Sequence, residues 1–138
     1  MRLGIVASRF NEEICCKLLD GARTEAQKLK AELTVISVPG ALEIPIALQW
    51  MAQSGRFDAL VALGAVIRGD TYHFDVVANE SARGVMDVML ECGVPVANGI
   101  LTTDDEKQAA APLSRRAAAV RVALEMARLK AKLQGSER

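Results

Sequence analysis

Residues 59–67 read Ala-Leu-Val-Ala-Leu-Gly-Ala-Val-Ile. A strand sends successive side chains to opposite faces, so one wet face would demand alternating polarity; a run with no polar member fits a strand buried on both sides. Outward from this run the same grammar repeats. Leu3–Ala7, Leu33–Val38 and Val94–Leu101 are short, β-prone and apolar almost throughout, while Glu13–Lys30, Glu43–Gln53 and Val76–Glu91 carry apolar residues at helical spacing. A helical tail extends from about Asp104 to Leu133, broken near Pro112. Four strands separated by helices predict an α/β chain, with one four-stranded parallel sheet flanked by helices on both faces and joined by right-handed crossovers.

The 138 residues, 51% hydrophobic and 25% charged, suit one domain over residues 1–138. No internal repeat or low-complexity linker divides them. Lys and Arg, 17 in all, balance 17 Asp and Glu, so no overall field draws in nucleic acid or an anionic membrane, and any anion must be held by local geometry. No apolar run approaches the roughly 20 residues that span a bilayer. The N-terminus lacks the pattern of a secretory signal, so the cytoplasm is the expected location. Cys15, Cys16 and Cys92 lack the paired spacing of a zinc site and are expected to be small buried hydrophobes, leaving no metal centre.

In open parallel sheets, ligands bind outside the carboxyl ends of the strands, which directs attention to four loops. They read Ser8-Arg9-Phe10-Asn11, Pro39-Gly40-Ala41-Leu42-Glu43-Ile44-Pro45, Arg68-Gly69-Asp70-Thr71-Tyr72-His73-Phe74-Asp75 and Thr102-Thr103-Asp104. Phe10, an aromatic ring in a polar loop, either stacks on a flat heterocycle or staples the next helix. Glu43 either accepts from ligand hydroxyls or favours a helix N-terminus through its dipole. The third loop holds the only histidine of the chain. An imidazole with an ordinary pKa of about 6.5 exchanges protons near neutrality, although a lone histidine is more often structural. Gly69-Asp70-Thr71 offers backbone amides and a hydroxyl able to hold a phosphate.

Ser-Arg-Phe-Asn at 8–11, Val-Pro-Gly-Ala-Leu-Glu-Ile-Pro at 38–45, Gly-Ala-Val-Ile-Arg-Gly-Asp-Thr-Tyr-His-Phe-Asp at 64–75, Asn79-Glu80, and Gly-Ile-Leu-Thr-Thr at 99–103 together resemble the 6,7-dimethyl-8-ribityllumazine synthases of riboflavin biosynthesis. The resemblance runs from Leu3 to Leu129 and implies a three-layer, flavodoxin-like fold. It implies a transferase that condenses 5-amino-6-(D-ribitylamino)uracil with 3,4-dihydroxy-2-butanone 4-phosphate, without cofactor or metal. By the same resemblance Phe10 stacks on the pyrimidine, Ala41, Leu42 and Glu43 hold the ribityl-bearing substrate, and Ala65, Val66 and Ile67 line the pyrimidine edge. Asp70 and Thr71 fall at the phosphate site, His73 falls on the proton-transferring histidine, and Asn98 falls on a residue that reaches into a neighbouring subunit's pocket.

The resemblance further implies homopentamers, which in that family stand alone or pack into a sixty-subunit icosahedral shell. With Leu3 already in the first strand, the segment that in the family often reaches a neighbour is not expected to contribute here, which leaves assembly beyond a ring open. Departures cluster at residues 109–118. Pro112 takes the place of a family arginine, Arg115 or Arg116 stands in for a family lysine, and Ala118 falls near an acidic position that supports the histidine. A lost charge-assisted phosphate contact costs about 1.5–3 kcal/mol; either Arg115 swings into the phosphate site to replace it, or Arg115 and Arg116 are ordinary solvated helix residues. Beside the working synthase stand two other readings: a catalytically weak shell or scaffold protein that keeps the fold and assembly, and a module that binds lumazine or flavin. The apolar faces at Val85–Leu90 and Ala117–Leu133 suit either subunit contacts or the chain's own core.

Overall fold

The computed structural model describes residues 1–9, 12–67, 73–103 and 114–135, with the backbone alone for residues 12–15, 18, 67, 73, 74, 102, 103 and 114–116. Its elements run β1 (Arg2–Ser8), α1 (Glu12–Lys28), β2 (Glu32–Val38), one 3-10 turn (Ala41–Glu43), α2 (Ile44–Gln53), β3 (Ala59–Ile67), α3 (His73–Cys92), β4 (Val96–Thr103) and α4 (Ser114–Leu133). The four strands form one parallel sheet in the order β2-β1-β3-β4.

Alternation of side chains across this sheet builds two cores. On one face, Val6, Leu60, Ala62 and Val66 meet Ile44, Leu48 and Met51 of α2 and Val85 and Val88 of α3. On the other, Leu3, Ile5, Val61 and Leu63 meet Ala22 and Ala26 of α1 and Val120, Ala123, Leu124 and Ala127 of α4. Ile5 and Val6 are adjacent in sequence, point to opposite cores, and are both 0% exposed. This double burial is why Leu3–Ala7 of β1 and all of β3 are apolar, whereas the edge strand β2, with Glu32, Thr34 and Ser37 exposed, is covered far less completely than its expected apolar character implied. Each helix supplies its core from a stripe; Ala22 and Ala26 lie one turn apart on α1, which leaves Cys16 exposed. Cys92 is only half-buried, so neither thiol is the buried hydrophobe expected.

The boundaries differ from expectation in informative ways. Helix α3 begins at His73 rather than Val76, so His73, Phe74 and Asp75 are its first turn and not loop; Asp75 suits the positive end of the helix dipole. Strand β4 begins at Val96, after a proline that has no N–H to give a ladder, and runs on through Thr102 and Thr103. Pro95 still serves the sheet, since its carbonyl accepts from the Leu60 N–H at 2.9 Å. Helix α2 is preceded by the 3-10 turn and carries Pro45 in its first turn. The expected helical segment 104–113, with Pro112, lies outside the described residues. The short link between α1 and β2 is closed by Lys30 in the left-handed region, φ 56°.

Helices α2 and α3 pack closely where Gly84 faces Pro45. A Cβ built on Gly84 would stand 2.7 Å from Pro45 Cγ and 2.8 Å from its Cβ. The pyrrolidine ring cannot rotate away, so a methyl there must push the helices apart. Intrinsic propensity favours alanine over glycine in a helix by about 1 kcal/mol. We expect Gly84→Ala to lower Tm in a thermal melt all the same, by an overpacking cost of about 1–3 kcal/mol against that gain; a rise in Tm would show that the contact yields freely.

Candidate active site

Strand order places the site. From β1 the chain moves outward through α1 to β2; from β2 it returns across β1 through α2 to β3, and continues through α3 to β4. With a constant crossover hand, opposite directions of travel put α1 on one face and α2 and α3 on the other, as the two cores record. The loops leaving β1 and β3 therefore part to opposite faces, and a crevice opens between the carboxyl ends of these central strands.

Ser8 closes β1 at the floor of this crevice, only 2% exposed. Gly64 lies beside it on β3, where an added Cβ would meet Ser8 Oγ at 2.7 Å and Ile44 Cδ1 at 3.5 Å. The absence of a side chain at position 64 leaves room for the serine hydroxyl under the first turn of α2. Sequence reading grouped Ser8 with the loop; the available signal was a polar residue at the end of an otherwise apolar run. The next residue is anchored twice to β2: Arg9 N–H donates to the Val38 carbonyl at 2.8 Å, and the Arg9 guanidinium donates to Ser37 Oγ at 3.0 Å.

The second loop rises from β2 beside these groups. Ala41 is buried, Leu42 is 43% exposed, and Glu43 is exposed. The Glu43 carboxylate folds back toward Gly40, with Oε1 3.1 Å from where a Cβ on that glycine would lie, and it makes no capping hydrogen bond at α2. It thus retains acceptor capacity at the crevice rim. Ala41 and Ile44 share a core cluster with Val66, near the end of β3, and with half-buried Val77 of α3. The 3-10 turn packs against α3 and β3. Ala41, Leu42, Glu43, Val66 and the backbone of His73, at the start of α3, are thereby gathered at one end of one face. Ala65, 2% exposed, is buried at the same end, and Ile67 ends β3. Glu80, one turn beyond the crevice along α3, is engaged by Arg83 at 2.6 Å; this hydrogen bond, with the charges of Glu80 and Asp87, raises the guanidinium pKa further.

Two expected residues stand apart from this group. Asn98 pairs with Ala62 in mid-strand, on the outer edge of β4, five residues and roughly 16 Å short of the strand's carboxyl end. Arg115 lies in the first turn of α4, which packs on the face of α1 rather than that of α2 and α3. Phe10, Asp70 and Thr71 lie outside the described residues. Among the described residues no group of His, Cys, Asp and Glu is placed to hold a metal, and no helix is long and apolar enough to cross a membrane. A hollow of about 280 Å³ lined by Arg2, Glu32 and Arg56 opens at the amino end of the sheet, away from the crevice.

The chain is 56% identical over 131 residues to the 6,7-dimethyl-8-ribityllumazine synthase of Nitrosomonas europaea, covering 92% of this chain and 80% of that protein. It is 52% identical over 133 residues to the protein of the same name from Burkholderia multivorans, covering 94% and 77%. It is 51% identical over 138 residues to that of Azoarcus sp., covering 97% and 88%. A de novo designed Rossmann fold protein aligns with 16% identity at a TM-score of 0.43, over 80% of this chain and 91% of that one. The family profile described as 6,7-dimethyl-8-ribityllumazine synthase matches residues 1–131. A profile match of that extent, with relatives at about half identity over nine-tenths of the sequence, establishes that the chain belongs to the 6,7-dimethyl-8-ribityllumazine synthase family.

Proposed function

We propose that this chain, as one domain, condenses 5-amino-6-(D-ribitylamino)uracil with 3,4-dihydroxy-2-butanone 4-phosphate to 6,7-dimethyl-8-ribityllumazine, phosphate and water. The observation that carries this reading is family membership across residues 1–131; the gathering of Ala41, Leu42, Glu43 and Val66 at one end of the sheet supports it. The pyrimidine amine attacks the ketone, loss of water gives an imine, phosphate is eliminated, and ring closure expels a second water. No step changes the net oxidation level, so the chemistry calls for positioning and proton transfer rather than a redox cofactor or metal.

Ala41, Leu42, Glu43, Ala65, Val66 and Ile67 take the pyrimidine and its ribityl chain, with Phe10 stacked on the ring. Glu43 accepts from ribityl hydroxyls through a carboxylate that no helix cap consumes. His73 moves protons from the amino end of α3. Asp70 and Thr71 hold the phosphate, and Arg115 replaces the charge lost at Pro112. The chain works as a homo-oligomer, a pentamer or the icosahedral capsid of sixty built from such rings, in the cytoplasm. Exposed apolar side chains support assembly: Val85, Val88, Val120, Ala123 and Leu124 go to the cores, while Met86, Leu90, Val122, Met126 and Leu133 on the same helices remain 44–77% exposed.

The first test follows lumazine fluorescence with both substrates against an uncatalysed blank. His73→Ala is expected to cut turnover by up to about 10²-fold, since proton transfer contributes about 10²–10⁴ and water substitutes in part. A wild-type rate equal to the blank, from folded and assembled protein, overturns the enzyme in favour of a scaffold. Arg115→Ala is expected to raise KM for the butanone phosphate about 10- to 100-fold and leave KM for the pyrimidine unmoved; an equal rise for both substrates would take Arg115 out of the phosphate site.

A further inference from the structure

The exit of β1 is fastened on both faces of the sheet. Side chains at even positions, Val6 and Ser8, turn toward α2 and α3; those at odd positions, Leu3, Ile5 and Ala7, turn toward α1 and α4. Ser8 is buried on the first of these faces, its hydroxyl in the space that Gly64 leaves beside Ile44. Arg9 is the next odd position. Its backbone N–H carries the ladder one residue past the strand, to the Val38 carbonyl at 2.8 Å, and its guanidinium donates to Ser37 Oγ at 3.0 Å. Ser37 follows Leu33 and Val35, which pack with the core of α1 and α4, so the arginine side chain lies on the face opposite to Ala41 and Val66. These two bonds join the last residues of β1 and β2, the strands whose loops carry Phe10 and Ala41-Leu42-Glu43.

We infer that Arg9 is a positioning residue for the pyrimidine, buckling the loop after β1 to the loop after β2 without touching substrate. This rests on the proposed function, in which Phe10 stacks on the ring while Ala41, Leu42 and Glu43 hold the ribityl-bearing side. Ring and ribityl chain are covalently joined, so the substrate seats fully only when the two loops stand at the right separation. A single exposed hydrogen bond adds little to the stability of the whole chain, yet this one acts directly on that separation. The butanone phosphate, held in the same proposal by Asp70, Thr71 and Arg115, gains nothing from the buckle. The rival role for a guanidinium near a phosphate-binding crevice is to bind the phosphate itself, and in that role Ser37 would be dispensable.

The test measures KM for each substrate, and Kd for 6,7-dimethyl-8-ribityllumazine by its fluorescence, in Arg9→Ala, Ser37→Ala and the double variant, with Tm recorded for each. Either single variant is expected to raise pyrimidine KM and lumazine Kd about 3- to 10-fold, while KM for the butanone phosphate moves less than about twofold. The double variant is expected to be no worse than Arg9→Ala, since both changes remove the same bond. A merely structural contact would lower Tm and move both substrates alike. A phosphate ligand would raise KM for the butanone phosphate in Arg9→Ala and leave Ser37→Ala near wild type. Either of these results, or losses that add in the double variant, overturns the inference. Wild type that binds lumazine but turns nothing over counts against the proposed function alone, and the Kd values of the variants then decide the role of Arg9; wild type that binds no lumazine overturns both.

Discussion

A parallel sheet must be covered on both faces, and nearly everything in this molecule follows from that demand. Its crossovers cannot be tight turns, so helices are forced between the strands, and those helices need apolar stripes to bury. The two layers are not equivalent. Helices α2 and α3 bring branched and bulky side chains to the sheet, whereas α1 and α4 meet it largely through alanines, which brings their backbones close. The face covered by α2 and α3 ends at Ser8, Gly64 and Val66, where the sheet's last rows lie beneath two helix starts.

The reversal of strand order between β1 and β3 converts this cover into a site. It needs no dedicated catalytic scaffold, because the divergence of two loops to opposite faces leaves a crevice that neither layer can fill. The contact of Gly84 with Pro45 then holds α3, which carries His73, at a fixed height against the turn that carries Ala41, Leu42 and Glu43. Positioning two reactants within a fraction of an ångström is the main task of a condensation of this kind, and a close-packed contact between rigid elements suits it better than a flexible loop.

Sheet, layers and loop positions were legible because double burial leaves a strong mark: Ala59–Ile67 and Leu3–Ala7 are apolar at consecutive positions, which one-sided strands avoid. The start of α3 was misplaced because His73-Phe74-Asp75 is polar and aromatic like the loop before it, while helix starts tolerate such residues. The start of β4 was misplaced because Val94 is β-prone, and only the ladder shows where pairing begins. The contacts that shape the crevice, Ser8 with Gly64 and Pro45 with Gly84, join segments tens of residues apart and depend on strand order, so no local spacing announces them. The bond from the Ile100 N–H to Asn98 Oδ1 is local, yet its meaning appears only when β4 is known to have an open edge.

The Ile100 N–H donates to Asn98 Oδ1 at 3.0 Å, and that bond bears on how a single chain fares among others. Val96–Thr103 carries no charge, and a bare strand edge of this composition invites any other strand to add to it, the first step of aggregation. By satisfying the Ile100 N–H from within, Asn98 withdraws one rung of the template and lowers the gain for an intruding strand. A freshly made chain carries that edge partly closed, and the protection costs no charged residue on the strand.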